Sequence, residues 1–359
     1  MAAELARLPR VARLAGITHG RPPAASKRGA RAWLAATLTL TAGAAVAAIA
    51  LAPPAGAPAP EGLAFLLFVG SSVHVASTAW FYTVPGVRAH MSLHRLRYFW
   101  WPLALISGAG AVALLVPRAA LYWLLLPYFG WQFFHYQKQN LGIAALAAAS
   151  ARVAGLRTAE RRALTGAGLA GIAGLLARPS LLQVPVRPVL APLFPVAATA
   201  FGVFVAAGAW CLASRSASQR PAGYCAAYLM SLVFSLPVFL FSSPYAAVAG
   251  LTVAHGLQYL LLMSMLAAGA PAERQRGGRR LAGLAALCNI ALLGGAALSV
   301  ASDQLGARPA LRVLFGLFLG AVMAHFVIDA GLWRMRAEFP RTFLQARLPY
   351  LIPPREAGR

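Results

Sequence analysis

The feature that most constrains this chain is a succession of long apolar runs joined by short connectors. A helix needs roughly 20 apolar residues to cross the hydrocarbon of a bilayer. Unpaired backbone groups are so costly there that a run of this length reads as a transmembrane helix. Such runs lie over 32–51, 62–84, 99–116, 119–148, 163–183, 193–213, 222–241, 245–268, 281–301 and 309–333. Composition agrees, with 60% hydrophobic and 11% charged residues, against about 25% charged in a soluble domain. The expected fold class is all-α, a polytopic transmembrane helical bundle of about 10 spans. It divides into a basic N-terminal tail over 1–31, one transmembrane domain over 32–333 and a basic C-terminal tail over 334–359.

The formal charge of +24 raises the question of nucleic acid. The arginines, however, sit in short clusters between apolar runs, without the basic-aromatic surface module that nucleic-acid binders carry. They read as topology signals and as contacts to anionic lipid headgroups. With the N-terminus inside, only Arg118, Arg178, Arg187, Arg308 and Arg312 of the 32 basic residues fall outside. That asymmetry fits ten spans with both termini cytoplasmic. Cys211, Cys225 and Cys288 lie within apolar runs at spacings that suit neither a disulfide nor a cysteine metal site. The first 31 residues carry no apolar run long enough for a signal-peptide core, so the first span is expected to be a retained anchor. Proline-rich 52–60 and 184–192 read as external connectors. The small-residue runs 166–174 and 293–297 suit close helix packing or reflect the alanine-rich bias of the chain.

Within the spans the expensive residues are few. His74, His135, His255 and His325 all fall in even-numbered spans, which run from outside to inside. At about 1.5 Å per residue, His74 and His255 sit near the midplane and His135 and His325 in the cytoplasmic half. The two layers are thus separated by roughly 6 to 9 Å. Each histidine has polar company at helical spacing: Gln132 and Gln139 beside His135, Gln258 and Tyr259 beside His255, and Ser71, Ser77 and Thr78 around His74. A ligating imidazole usually gives its other N–H to such a neighbour, so Gln139 and Gln258 are read as orienting ligands. Asp329, one turn after His325, is an orienter, a base or a metal ligand. Lys138 lies at nearly the same depth as Asp329 and is its alternative counter-ion. His90 and His94, just beyond Pro85-Gly86, close a second metal pair or meet headgroups. Trp100, Trp101, Trp123, Trp131 and Trp333 read as interfacial belt or packing.

The His325-Phe-Val-Ile-Asp329 element, with the scattered intramembrane histidines, resembles the Brp/Blh-type membrane proteins of bacteria that cleave carotene to retinal, although Val327 stands where that family carries glycine. The resemblance implies a histidine-held iron and an oxygenase acting on a lipophilic substrate in the bacterial inner membrane. His90-Met-Ser-Leu-His94 is similar to the first histidine box of membrane desaturases, whose later boxes this chain lacks. The set of motifs around His135, His255 and His325 is also similar to that of uncharacterised multi-span bacterial proteins, which implies no activity. The leading expectation is a transition metal, with iron first, held by His74, His135, His255 and His325. Its partners would be membrane lipids and a lipid-soluble small molecule. A transporter or proton-linked channel with histidine–aspartate relays is the alternative, and a non-catalytic assembly subunit is a third.

Overall fold

The computed structural model describes residues 27–54, 57–269 and 277–352. The expected basic tails, 1–31 and 334–359, therefore lie largely or partly outside the described residues. Among these the chain is helical, without a strand. In order the helices are α1 (Lys27–Ala50), α2 (Glu61–Thr83), α3 (Pro85–Leu93), α4 (Leu96–Leu115), α5 (Arg118–Ser150), α6 (Thr158–Ala177) and α7 (Leu193–Ala213). They continue with α8 (Ala222–Leu232), α9 (Leu236–Leu240), α10 (Tyr245–Ala267), α11 (Gly277–Ser302), α12 (Pro309–Leu332) and α13 (Glu338–Arg347).

Among the described residues, α1, α2, α4, α7, α10, α11 and α12 are long and apolar enough to cross a membrane. The other three expected spans coincide with α5, α6 and the α8–α9 pair, which do not reach that combination of length and apolarity. The polarity of the surface is inverted relative to a soluble protein. Leu115, Trp210 and Leu293 are 78, 76 and 73% exposed, while Thr41, Ser77, Thr78 and Asn140 are buried. Apolar side chains facing outward and polar ones inward are what a lipid solvent selects.

Contacts divide the chain into two compact units, each discontinuous in sequence. One comprises Ser72–Val116 and the described part of Tyr259–Arg359; the other comprises Ser26–Ser71 and Pro117–Gln258. The boundaries fall inside α2, between α4 and α5, and inside α10.

In the first unit α12 lies along α4. A Cβ on Gly316 would lie 2.7 Å from Ala113 Cβ, and one on Gly320 2.6 Å from the carbonyl oxygen of Leu105. Gly295 in α11 takes Val73 in the same way, at 2.8 Å. Arg312 is buried and donates to the carbonyls of Ala113 (2.8 Å) and Val116 (3.0 Å), the otherwise unpaired C-terminus of α4. At the other end Phe339 of α13 stacks on His90, with ring centroids 4.2 Å apart.

In the second unit α1 buries the stripe Trp33, Thr37, Thr41, Ala44 and Ala48, one face at helical period. The glycine run of α6 is a packing device: Gly168 abuts Gln137, Gly171 abuts Ser235 and Gly174 abuts Phe239. Gly256 of α10 meets the backbone of Gly70, whose Cα would stand 2.6 Å from an added Cβ. Only glycine permits that approach.

Candidate metal centre

In the first unit the site begins with a break in helix regularity. The π turn Val69–Val73 inserts an extra residue in α2 just before His74, a distortion common at functional sites. Thr78–Thr83 then tightens into a 3-10 turn. Ser77 donates to the His74 carbonyl at 2.6 Å and Thr83 to the Trp80 carbonyl at 2.7 Å. Val84, extended at φ −86° and ψ 114°, ends the segment ahead of Pro85, as a residue before proline tends to do. This geometry brings His74 and Thr78 to the buried face of α12 that carries His325 and Asp329.

There the rings of His74 and His325 cross edge to face with centroids 5.2 Å apart. A ligand atom of His325 lies within 4.8 Å of one on His74 and within 4.8 Å of one on Asp329. Two ligands of a single ion stand about 3 to 4 Å apart at metal–nitrogen distances near 2.1 Å. His325 Nε2 is 3.6 Å from Asp329 Oδ2. Thr78 Oγ1 is 2.6 Å from His325 Nδ1 and 2.8 Å from the Tyr259 hydroxyl, which donates to Asp329 Oδ1 at 2.9 Å. His74, His325 and Asp329 are each at most 4% exposed. A carboxylate and two imidazoles buried at this level are costly unless charge and hydrogen bonds are satisfied within the site. These buried histidine and aspartate groups have the chemistry to hold a metal ion.

The second unit holds the other two histidines. His135 and His255 cross edge to face with centroids 5.1 Å apart, and Tyr136 stacks on His255 at 4.0 Å. Gln139 donates to the His255 carbonyl and to Gln258 Oε1, both at 2.9 Å, and Gln258 donates to Thr41 at 2.7 Å. Gln132 donates to the Tyr136 hydroxyl at 2.6 Å.

Several expectations change in this light. The separation of His74 from His325 by depth does not hold, because their rings touch. Depth read from residue offsets assumes upright helices starting in one plane, whereas membrane helices tilt by about 20° on average. Thr78, expected beside His74, serves His325. Gln139 holds the backbone carbonyl of His255 and bonds to Gln258, which in turn holds Thr41. Lys138 is exposed, with its ammonium 4.9 Å above the Phe134 ring, a cation resting on an aromatic face. Asp329 has Tyr259 and His325 as its partners. The rings of His90 and His94 lie tilted with centroids 4.5 Å apart, and His94 Nδ1 meets the His90 carbonyl at 3.0 Å. Among the described residues, neither belongs to a group of three or more potential ligands. Trp123 and Trp131 are exposed, as belt residues are. The residue that sequence reasoning undervalued is Tyr136, visible only as an aromatic beside His135. Comparison with known proteins finds no matching family model, no matching curated protein and no matching solved structure.

Proposed function

We propose that this chain is a ten-span protein of the bacterial inner membrane, with both termini cytoplasmic, whose buried histidines bind a transition metal used to oxidise or oxygenate a lipid-soluble substrate. The observation that carries this reading is the buried His325, with a ligand atom of His74 and one of Asp329 each within 4.8 Å of it. Two imidazoles and one carboxylate are the donors with which non-haem iron(II) oxygenases bind one face of the ion and leave positions open. That set puts iron ahead of zinc and copper. Its place among apolar helices favours a substrate that arrives from lipid. The ion would supply redox chemistry. The chain's own residues would orient it through Thr78 and Tyr259 and keep bulk water away with Trp333, which lies 6.0 Å from the Tyr259 ring.

Metal analysis of the purified protein tests the proposal. Stoichiometric metal in the wild type and its loss in His325→Ala are expected. Absence of stoichiometric metal, with wild type and His325→Ala indistinguishable, overturns it. A second reading draws on the hydrogen-bonded row from His325 through Thr78 and Tyr259 to Asp329, which suits proton-linked transport. It predicts pH-driven flux in liposomes from protein without bound metal.

A further inference from the structure

Counting protons along the row in the first unit fixes more than its connectivity. The three contacts are His325 Nδ1 to Thr78 Oγ1, Thr78 Oγ1 to the Tyr259 hydroxyl, and Tyr259 hydroxyl to Asp329 Oδ1. Each hydroxyl has one proton to give. With Oδ1 of Asp329 as the acceptor, the Tyr259 proton goes to Asp329. The contact between Thr78 and Tyr259 must then use the Thr78 proton. That leaves the contact between Thr78 and His325 to use the proton on Nδ1. Hydrogen positions of this kind are assigned from the network; with Oδ1 accepting, the row runs in this one direction, and a proton on Oδ1 would reverse it.

We propose that Thr78 is a positioning residue that holds His325 as the Nδ1–H tautomer, so that Nε2 carries the lone pair presented to the ligand. The inference rests on the metal reading only for the identity of that ligand. Nε2 is also the atom 3.6 Å from Asp329 Oδ2, which pairs one nitrogen and one oxygen donor on adjacent turns of α12. A ligating histidine commonly gives its second N–H to an outer acceptor, and removing that acceptor typically costs 10- to 100-fold in metal affinity. Here the acceptor is a threonine whose own orientation is set by Tyr259 and Asp329. The row thus passes from one end of the donor set back to the other.

The test uses full-length, metal-free protein with ¹⁵N-labelled histidine rings. Two-bond ¹H–¹⁵N correlation reports which ring nitrogen carries the proton, and His325→Asn identifies the His325 signals. Protonated Nδ1 is expected in the wild type and in Thr78→Ser, with mixed tautomers in Thr78→Val, whose side chain has nearly the same shape. A wild-type His325 protonated on Nε2, or a Thr78→Val spectrum like the wild type, overturns the proposal. Titration with iron(II) then separates the two ideas. Binding weakened about 10- to 100-fold in Thr78→Val and restored in Thr78→Ser supports both. Failure of the wild type to bind any metal overturns the functional reading while the tautomer result stands.

Discussion

Replacing Arg215 with methionine should be among the most damaging single changes to the second unit. Glu160, in the first turn of α6, has a side chain that is 0% exposed, and that of Arg215 is 3% exposed. The guanidinium forks onto the carboxylate, with Nε to Oε1 and Nη2 to Oε2 both at 2.6 Å. It also donates at 2.9 Å to the carbonyls of Ala154 and Gly155. The backbone N–H of Arg157 completes the carboxylate's shell at 2.7 Å. Arg215→Met leaves that carboxylate buried with its backbone bond and, as its counter-ion, only the exposed Arg157 guanidinium 3.5 Å from Oε1. Breaking one side of a buried pair costs about 3 to 5 kcal/mol, while the exposed carbonyls of Ala154 and Gly155 can rehydrate. At about 2 to 4 °C per kcal/mol for a unit of this size, the thermal midpoint of detergent-purified protein should fall by about 10 °C or more. Adding Glu160→Gln to Arg215→Met should recover part of the loss, since it removes the stranded charge. Burial pushes the Glu160 carboxyl up, but the Arg215 hydrogen bonds, the Arg157 N–H and both positive charges outweigh it and hold it below its ordinary value of 4.5. Its stabilisation is therefore present above pH 4.5 and lost as pH falls further. The gap between wild type and Arg215→Met should shrink in that range. A variant within about 1 kcal/mol of wild type at neutral pH, well under the loss expected for a buried pair, would refute the reasoning, as would a gap that widens in acid.

Gly256→Ala should lower the yield of folded protein and destabilise by about 1 to 3 kcal/mol or more, because its Cβ meets rigid backbone at Gly70. Gly142→Ala, in α5 with nothing within 4 Å of the new methyl, should stabilise by about 0.5 to 1 kcal/mol, and urea or thermal unfolding compares the two. His90, half-buried against Phe339 and beside His94, is pushed down from 6.5 to about 4 by burial first and by the neighbouring imidazole second. The unfolded chain thus takes up this proton at higher pH than the folded one. The stability owed to neutral His90 is whole above about pH 6.5, declines as pH falls and is gone by about pH 4. His90→Phe should flatten that part of the profile of melting temperature against pH; an unchanged slope counts against it.

Sequence alone determined the helical membrane class. Apolar runs of bilayer length leave little else for such a chain to be. It also singled out His74, His135, His255, His325 and Asp329, because a polar group inside lipid is rare enough to be noticed without a neighbour. The pairing of His325 with Asp329 was legible too, since four residues on a helix share a face. Which histidine meets which was decided by tertiary structure. The meeting of His74 with His325 depends on helix tilt, on a π turn and on glycines that let α11 approach α2 and α12 approach α4, and none of these is encoded in offset along a single span. The role of Thr78 was likewise out of reach. Its hydroxyl lies 247 positions from the ring it holds, and only close packing of buried helices sets a hydrogen bond across that distance.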